Sequence, residues 1–304
     1  MLCKVSPVFR EVIFMNVEKW MAANTHSLSG KTVAITGSTG GLGKEICRHL
    51  ASLGASFILL DRNAERSNAF RGELLSSFSG IDVTCVQCEL EDGASVDKAC
   101  QRVLELGADV LILNAGAYAI PRHVCDNGYD NIFTINFISP YRMVNALLPM
   151  LKERSGRVVA VGSIAHRYSR IDVNDVDFST RKSAALAYGN SKRFLMFSLF
   201  ELFRNQENVT LSVTHPGITF TNITAHYPKV IFAVIKHPMK LVFMNPRKAS
   251  LSIVRGVFEP CPFMEWIGPR FFDVWGLPKR KKLHSVSVQE SSRICRIAKD
   301  AGDA

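Results

Sequence analysis

The stretch Thr32-Val-Ala-Ile-Thr-Gly-Ser-Thr-Gly-Gly-Leu-Gly43 decides the fold of this 304-residue chain. Its first five residues read as a short β-strand, and a glycine-rich turn follows at once. From Gly43 onward, apolar residues recur at helical spacing, at Ile46, Leu50 and Leu53. A glycine-rich turn between a strand and a helix leaves the N–H groups of the helix N-terminus free, so a phosphate can bind there.

Each glycine of this turn has its own predicted task. Gly37 lets the chain leave the strand sharply, and Gly41 lets the backbone approach a phosphate oxygen. Gly43 allows the helix to pack closely on the strand. The predicted phosphate cradle consists of Gly37, Ser38, Thr39, Gly41, Leu42 and Gly43. Such a turn alone is a weak signal, but it becomes strong when an acidic residue ends the next strand.

That acidic residue is Asp61, which follows the predicted second strand over residues 56–60. A carboxylate at this point can accept hydrogen bonds from both hydroxyls of an adenosine ribose, and it repels a 2′-phosphate. Arg62 would attract such a phosphate, but no basic residue lies in the turn at 38–40. The pattern therefore favours NAD as the cofactor and leaves NADP open.

Strand-like and helical runs alternate along the rest of the chain. Further strands are predicted over 82–88, 109–113, 156–161 and 209–214, and helices over 141–152 and 187–203. Near-continuous apolar strands separated by helices are typical of a parallel sheet that is covered on both faces. We therefore predict an α/β fold with a Rossmann-type doubly wound parallel sheet in a single domain.

The predicted dinucleotide-binding and catalytic domain covers residues 30–277, with a lid at about 220–245. Residues 1–29 are predicted to be an N-terminal extension. The net charge of the chain is +10, and much of it lies in a basic C-terminal tail over 278–304. A basic tail can contact nucleic acid or an anionic membrane. We interpret this one as solvated and partly disordered, and we predict no nucleic-acid partner.

The apolar stretch 227–243 is interrupted by prolines and lysines. This pattern fits a lid over an apolar substrate, a patch on a membrane surface or a pair of buried helices. A stripe of Phe194, Phe197, Phe200 and Phe203 fits either the core or a homodimer interface.

Eight cysteines are scattered without the dense framework of a disulfide-rich domain. Cys85 and Cys88 fall on opposite faces of a predicted strand, which favours structural thiols over a zinc or redox site. No metal site is predicted. No apolar run reaches 18 residues, and residues 1–29 contain no clear signal peptide. These features favour a cytoplasmic protein and leave peripheral membrane contact open.

Tyr188 and Lys192 lie four residues apart in a predicted helix, so both face the same side. A free tyrosine titrates near pH ~10, and a neighbouring ammonium group is expected to lower that pKa. Ser163 follows the fifth predicted strand, where its hydroxyl can donate to a substrate oxygen. The three residues predict proton transfer to or from an alcohol or carbonyl oxygen.

Taken in order, these motifs resemble those of the short-chain dehydrogenases/reductases over nearly all of residues 31–276. The family's glycine motif matches 36–43, and its Asn-Asn-Ala-Gly motif matches 113–116 with Leu113 in place of the first Asn. The catalytic residues that the resemblance implies are Asn136, Ser163, Tyr188 and Lys192. Asn136 is implied to hold a helix distortion and a water molecule that connects Lys192 to solvent.

The resemblance also implies the remaining cofactor contacts. Pro216, Gly217, Thr219 and Thr221 would meet the nicotinamide carboxamide or the pyrophosphate. Glu89 and Leu90 would lie near the adenine, where the family more often has Asp. The further implied contacts are Asn114, Ala115, Gly116, Tyr188 and Lys192, beside the glycine turn, Asp61 and Arg62.

Within the family, the chain is similar to the retinol-dehydrogenase-like branch. The segment between Ser163 and Tyr188 is long, and Trp275-Gly-Leu-Pro278 is typical of that branch. The implied function is hydride transfer between a nicotinamide cofactor and an alcohol or carbonyl, with a lipophilic substrate. The alternative is a nucleotide-sensing protein without turnover, which would not need a proton relay. A membrane-surface scaffold is compatible with either function.

Overall fold

The computed structural model describes residues 16–218, 244–283 and 288–302. Its strands are β1 Thr32–Thr36, β2 Ser56–Asp61, β3 Val83–Gln87, β4 Val110–Leu113, β5 Arg157–Val161, β6 Thr210–Thr214, β7 Glu265–Phe271 and β8 Trp275–Lys282. Its α-helices are α1 Val17–Asn24, α2 Gly41–Ala51, α3 Ala64–Ser77, α4 Gly93–Leu106, α5 Asn131–Phe133, α6 Ser139–Glu153, α7 Ala184–Phe203, α8 Pro246–Ala249, α9 Leu251–Phe258 and α10 Val288–Gly302. A π-helical turn, Thr134–Ile138, joins α5 to α6, and a 3₁₀ helix, Ile164–Tyr168, follows β5.

The eight strands form one sheet in the order β3-β2-β1-β4-β5-β6-β7-β8. All neighbouring strands are parallel except β7 and β8, which are antiparallel. The chain order reverses between β1 and β4, which opens a crevice at the carboxyl ends of those strands. The predicted doubly wound fold is confirmed, and the six predicted strands end within one residue of the observed ones.

Helices cover both faces of the sheet because the strands alternate their side chains between two apolar clusters. Ala34 and Leu111 belong to one cluster, whereas Val33 and Ile112 belong to the other. Helix α7 packs on the first face, and its aromatic stripe lies inside that cluster. Phe194, Phe197 and Phe200 are each at most 2% exposed, so these rings belong to the core of the chain itself.

The structure corrects the prediction of a solvated basic tail from residue 278. Residues 278–282 continue β8, and 288–302 form α10, which packs against α7. Ser291, Ile294 and Ala298 are fully buried. Their spacing places them on one face of a helix, while the basic residues occupy the other. The prediction was based on the positive charge of this segment and did not consider the helical spacing of its small and apolar residues.

The predicted N-terminal extension also contributes to the core. Trp20 and Met21 of α1 are buried, and they join the cluster that contains Leu50 and Phe57. Asn16 caps the helix by accepting a hydrogen bond from the backbone N–H of Glu18. Among the described residues, the helices are all too short or too polar to span a membrane.

Candidate active site

The described candidate residues lie at the carboxyl edge of the parallel strands. They follow β1 (Gly37 to Gly43), β2 (Asp61 and Arg62), β3 (Glu89 and Leu90), β4 (Asn114 to Gly116), β5 (Ser163) and β6 (Pro216 and Gly217). Asn136 and the pair Tyr188 and Lys192 reach this edge from the helical layer. Thr219, Thr221 and the predicted lid up to residue 243 lie outside the described residues.

The turn after β1 has the close packing that its glycines predicted. Gly37 has a φ of +67°, a conformation that favours glycine. A Cβ atom on Gly43 would lie 2.3 Å from the carbonyl oxygen of Gly37, so only glycine lets α2 come this near to β1. A Cβ on Gly41 would meet nothing within 4 Å, because that side of the turn is open to a ligand.

Asn114 fastens the end of β4 to this turn. Its side-chain amide donates to the carbonyl oxygens of Thr36 and Gly37, both at 3.0 Å. The Thr36 hydroxyl in turn accepts from the backbone N–H groups of Asn114 and Ala115, at 3.1 and 3.0 Å. These bonds fix the two walls of the crevice relative to each other.

Asp61 is buried, and its carboxylate accepts several hydrogen bonds from within the protein. Its carboxylate is 3% exposed and accepts from the hydroxyls of Ser38 at 2.5 Å and Ser67 at 3.0 Å. It also accepts from the backbone N–H and hydroxyl of Thr39, at 3.2 and 3.3 Å. The carboxylate was predicted to accept from ribose hydroxyls, and in the structure it also organises the glycine turn.

Asn136 lies in the π-helical turn, so a helix distortion is present at the position that the family resemblance implied. Its side chain is fully buried and makes three hydrogen bonds. Oδ1 accepts from the backbone N–H of Ala117 at 2.8 Å, and Nδ2 donates to the Ala117 carbonyl at 2.9 Å. Nδ2 also donates to the hydroxyl of Ser191 at 3.0 Å, one residue before Lys192.

Ser163 and Tyr188 form a hydroxyl pair at the mouth of the crevice. Their side chains are joined by a hydrogen bond. Ser163 also caps the 3₁₀ helix, because its hydroxyl accepts from the backbone N–H of Ala165 at 3.2 Å. Helix α7 begins at Ala184, capped by Ser183, so Tyr188 and Lys192 stand on successive turns of one face.

Lys192 carries its ammonium group into the interior of the protein. The residue is 2% exposed, and Nζ donates to the carbonyl oxygen of Val161 at 2.9 Å. Nζ lies 6.0 Å from the centroid of the Tyr188 ring. Burial lowers the pKa of Lys192 to about 8, because desolvation penalises the charged form.

The pKa of Tyr188 differs from the sequence-based expectation. Burial raises it to about 12, and the hydrogen bond with Ser163 offsets only part of that rise. Lys192 was expected to lower this pKa, but its ammonium points toward Val161. In the protein alone, Tyr188 therefore keeps its proton at neutral pH and can donate it to an oxygen.

The ends of β3 and β6 supply the outer parts of the site. The backbone N–H of Glu89 donates to the hydroxyl of Ser95 at 3.0 Å, and the carbonyl of Leu90 accepts from Ser139 at 2.6 Å. Gly217 has a φ of +83°, and a Cβ there would lie 2.5 Å from the carbonyl oxygen of Val274. Glycine is required at 217 because β8 begins directly behind it.

Sequence reasoning missed Tyr118, whose ring meets that of Tyr188 edge to face at 5.2 Å. It lies two residues after the Asn-Ala-Gly motif, where no spacing rule separates it from a loop residue. His166 and His215 both pack on the buried ring of Trp266. Burial lowers the pKa of each histidine to about 4.

Glu91, His123 and Cys125 bring three potential metal ligands within 4.8 Å of one another. Nε2 of His123 lies 2.9 Å from the Glu91 carboxylate, and Nδ1 lies 3.1 Å from the side-chain nitrogen of Asn131. An amide nitrogen only donates, so the Asn131 contact places the ring proton on Nε2, facing Glu91. A hydrogen bond accounts for this arrangement without an ion.

The sequence pattern of the short chain dehydrogenase family matches residues 31–229. The chain belongs to this family. Mouse retinol dehydrogenase 14 is 33% identical over 285 residues, which cover 87% of this chain and 83% of that protein. Human polyprenol dehydrogenase is 28% identical over 269 residues, which cover 84% and 79% of the two chains. The resemblance to the retinol-dehydrogenase-like branch is thereby confirmed.

Solved structures share the fold of this short-chain dehydrogenase. A Mycobacterium paratuberculosis protein superimposes with a TM-score of 0.73 at 25% identity, covering 94% of this chain and 98% of its own. The NADP complex of Pseudomonas aeruginosa RhlG gives 0.60 at 24% identity, covering 77% and 93%. A Burkholderia phymatum enzyme solved with NAD gives 0.58 at 18% identity, covering 78% and 88%. Family membership supports an NAD(P)-dependent oxidoreductase.

Replacement of Lys192 by methionine should remove a pH dependence of stability. The pKa of about 8 in the folded protein lies below the 10.5 of an unperturbed lysine. The unfolded chain therefore binds more protons between these values, and wild-type stability rises with pH across that window. Below it, the buried charge costs up to roughly 3 kcal/mol. Lys192→Met should be the more stable protein near pH 7, with an advantage that shrinks as the pH rises.

The measurement is urea unfolding of wild type and variant at pH values from about 7 to 10.5, the two ends of the window. Lys98→Met, at an exposed lysine of α4, is the control and should show no such trend. A stability difference between Lys192→Met and wild type that stays constant with pH would show that Lys192 is not held at a lowered pKa.

Proposed function

We propose that this protein transfers a hydride between a nicotinamide cofactor and an alcohol or its carbonyl. The observation that supports this proposal most directly is that the Ser163–Tyr188 hydroxyl pair and the buried ammonium of Lys192 lie together at the mouth of the crevice. An added Cβ on Gly116 would lie 3.4 Å from Nζ of Lys192 and 3.1 Å from Oδ1 of Asn136. Asn114, two residues earlier in the same loop, donates to the carbonyl of Gly37, so this loop connects the glycine turn to the proton-transfer groups.

The residues of the glycine turn fit a dinucleotide. Gly41 leaves open space beside the backbone, and the N-terminus of α2 presents N–H groups toward it. The bound cofactor supplies or accepts the hydride, while the protein supplies position and electrostatics. Lys192 is placed to contribute positive charge next to the cofactor, since its ammonium lies directly behind Gly116, where an added Cβ would be 3.4 Å from Nζ.

In carbonyl reduction, Tyr188 donates its phenolic proton to the oxygen that becomes the alcohol. Ser163 donates a hydrogen bond to the same oxygen and stabilises the negative charge that develops on it. Ser163, rather than Lys192, is the group that lowers the pKa of Tyr188, since Nζ of Lys192 is bonded to the Val161 carbonyl and lies 6.0 Å from the centroid of the Tyr188 ring. Asn136 holds the π-helical turn against α7 through Ser191, and so keeps Lys192 in place. In alcohol oxidation the proton moves in the opposite direction, from the alcohol oxygen to Tyr188.

Tyr188→Phe should abolish turnover and leave cofactor binding nearly unchanged. The ring and its contact with Tyr118 remain, and only the oxygen that carries the proton is lost. A loss of about 10²–10⁴-fold in kcat is expected for removal of a general acid. Steady-state kinetics and cofactor titration measure the two quantities. Tyr168→Phe, at an exposed tyrosine, is the matched control. A near-wild-type kcat in Tyr188→Phe would exclude the assigned role.

We propose NAD as the preferred cofactor. The buried negative charge of Asp61 ends β2, where a 2′-phosphate would be repelled. The exposed Arg62 beside it attracts a phosphate, so we expect NADP to bind as well, but more weakly than NAD. Arg62→Ala should weaken NADPH binding by about tenfold, or ~1.4 kcal/mol, and should leave NADH binding unchanged. Fluorescence titration of both cofactors tests this, and a wild type that binds NADPH more tightly than NADH would overturn the assignment.

We propose a lipophilic substrate. The relatives act on retinol and polyprenol by their names. The ring of Tyr118 meets Tyr188 edge to face beside the reacting hydroxyl and provides an apolar wall. Each methylene buried from water should add about 0.8 kcal/mol of binding. Along a series of unbranched aldehydes, kcat/KM should therefore rise severalfold per carbon until the pocket is full. A flat series, with preference for short charged hydroxy acids, would reject this substrate class.

A further inference from the structure

Helix α10 is joined to α7 by an ion pair between the buried Arg193 and the half-buried Glu290. Ser291, Ile294 and Ala298 are buried against the body of the protein, and the hydroxyl of Ser291 donates to the carbonyl of Phe197 in α7 at 3.5 Å. At its first turn, Glu290 accepts from the guanidinium of Arg193 at 2.6 and 3.1 Å. The two side chains are 27% and 4% exposed, respectively.

Arg193 follows Lys192 directly and connects α10 to the loop of the catalytic serine. Its third nitrogen in this network, Nη1, donates to the carbonyl oxygen of His166 at 2.8 Å. One guanidinium therefore joins the C-terminal helix to the 3₁₀ helix that follows Ser163. A buried guanidinium is stable only while its charge is balanced, so removal of the Glu290 carboxylate disturbs every group that Arg193 holds.

His166 is in turn bonded to Ser163. The carbonyl oxygen of Ser163 accepts from the His166 ring at 2.6 Å and from the His166 backbone N–H at 3.2 Å. The same short helix packs closely on α7 next to Tyr188. A Cβ on Gly189 would lie only 2.4 Å from the carbonyl oxygen of Ala165. A shift of this helix relative to α7 would change the hydrogen bond between Ser163 and Tyr188.

We propose that Glu290 and Arg193 are positioning residues, through which helix α10 sets the alignment of the Ser163 hydroxyl with Tyr188. Neither side chain is required to touch substrate or cofactor. Glu290 balances Arg193, Arg193 holds the His166 carbonyl, and His166 holds Ser163. The inference rests on the proposed function, because its effect on rate needs the Ser163–Tyr188 pair to act in turnover.

Glu290→Gln is the principal test, since it removes the charge and keeps the shape. We expect kcat to fall about tenfold, because small misplacements of reacting groups have effects of this order. The dissociation constant of NADH should change by less than about twofold, since the hydrogen bonds that define this network do not involve the glycine turn. Glu290→Asp, which restores the charge, should recover part of the lost kcat.

Glu259→Gln is the matched control for a general loss of stability. Arg255 donates to the Glu259 carboxylate at 2.6 Å and to the carbonyl of Pro278 at 2.7 Å. Glu259 is 28% exposed, close to the 27% of Glu290. This pair ties α9 to β8 and touches none of the catalytic set. Its variant should lower Tm in the same way as Glu290→Gln, and it should keep wild-type kcat.

Hydrogen–deuterium exchange of the peptide spanning 163–168 gives a readout that does not need turnover. Exchange there should rise in Glu290→Gln and stay at the wild-type level in Glu259→Gln. Wild-type exchange and an unchanged kcat in Glu290→Gln would overturn the positioning role, whatever its Tm. A different result is increased exchange in Glu290→Gln together with no carbonyl reduction by the wild-type protein. That result would support the structural link between α10 and Ser163, and it would reject the proposed function.

Discussion

The burial of one ammonium group sets the conditions for the rest of the site. Lys192 is almost inaccessible to solvent, and its charge is partly solvated by the carbonyl of Val161. This arrangement costs stability, since burial lowers the pKa of the group to about 8. It persists because α7 is packed into the core through its phenylalanines and cannot turn the lysine outward. The end of β5 and the loop after β4 both meet that fixed charge, through the carbonyl of Val161 and through Gly116, which also lies next to Asn136 of the π-helical turn.

Periodicity in the sequence predicts the central sheet well, because the buried parallel strands are short, apolar and bounded by glycine or acidic residues. The strands β1 to β5 follow this rule, and the candidate site residues lie at the carboxyl ends of the parallel strands. Strand β7 was missed, since it joins β6 through one residue pair, Thr214 with Ile267, and its sequence includes Gly268 and Pro269. Helix α10 was wrongly predicted to be a solvated tail, because the prediction was based on positive charge and not on the helical spacing of Ser291, Ile294 and Ala298.

Pairwise contacts between distant residues are the part that sequence alone could not supply. The edge-to-face contact of Tyr118 with Tyr188 depends on the path of a loop after β4. The engagement of Asp61 with Ser38 and Ser67 depends on how the glycine turn closes over β2. The same holds for Tyr188, whose pKa was expected to fall beside Lys192 and instead rises to about 12 through burial. Spacing along a helix fixes which side chains share a face, but not the direction in which a long side chain points.

The most direct test of this account is a single-turnover reaction with reduced nicotinamide cofactor that carries deuterium at both C4 positions. The protein is mixed with this cofactor and a long-chain aldehyde, and the mass of the alcohol product is determined. We predict an alcohol with one deuterium on its former carbonyl carbon, formed by the wild-type protein. Tight binding of the cofactor with no conversion of the aldehyde, or an alcohol without deuterium, would contradict hydride transfer at this site.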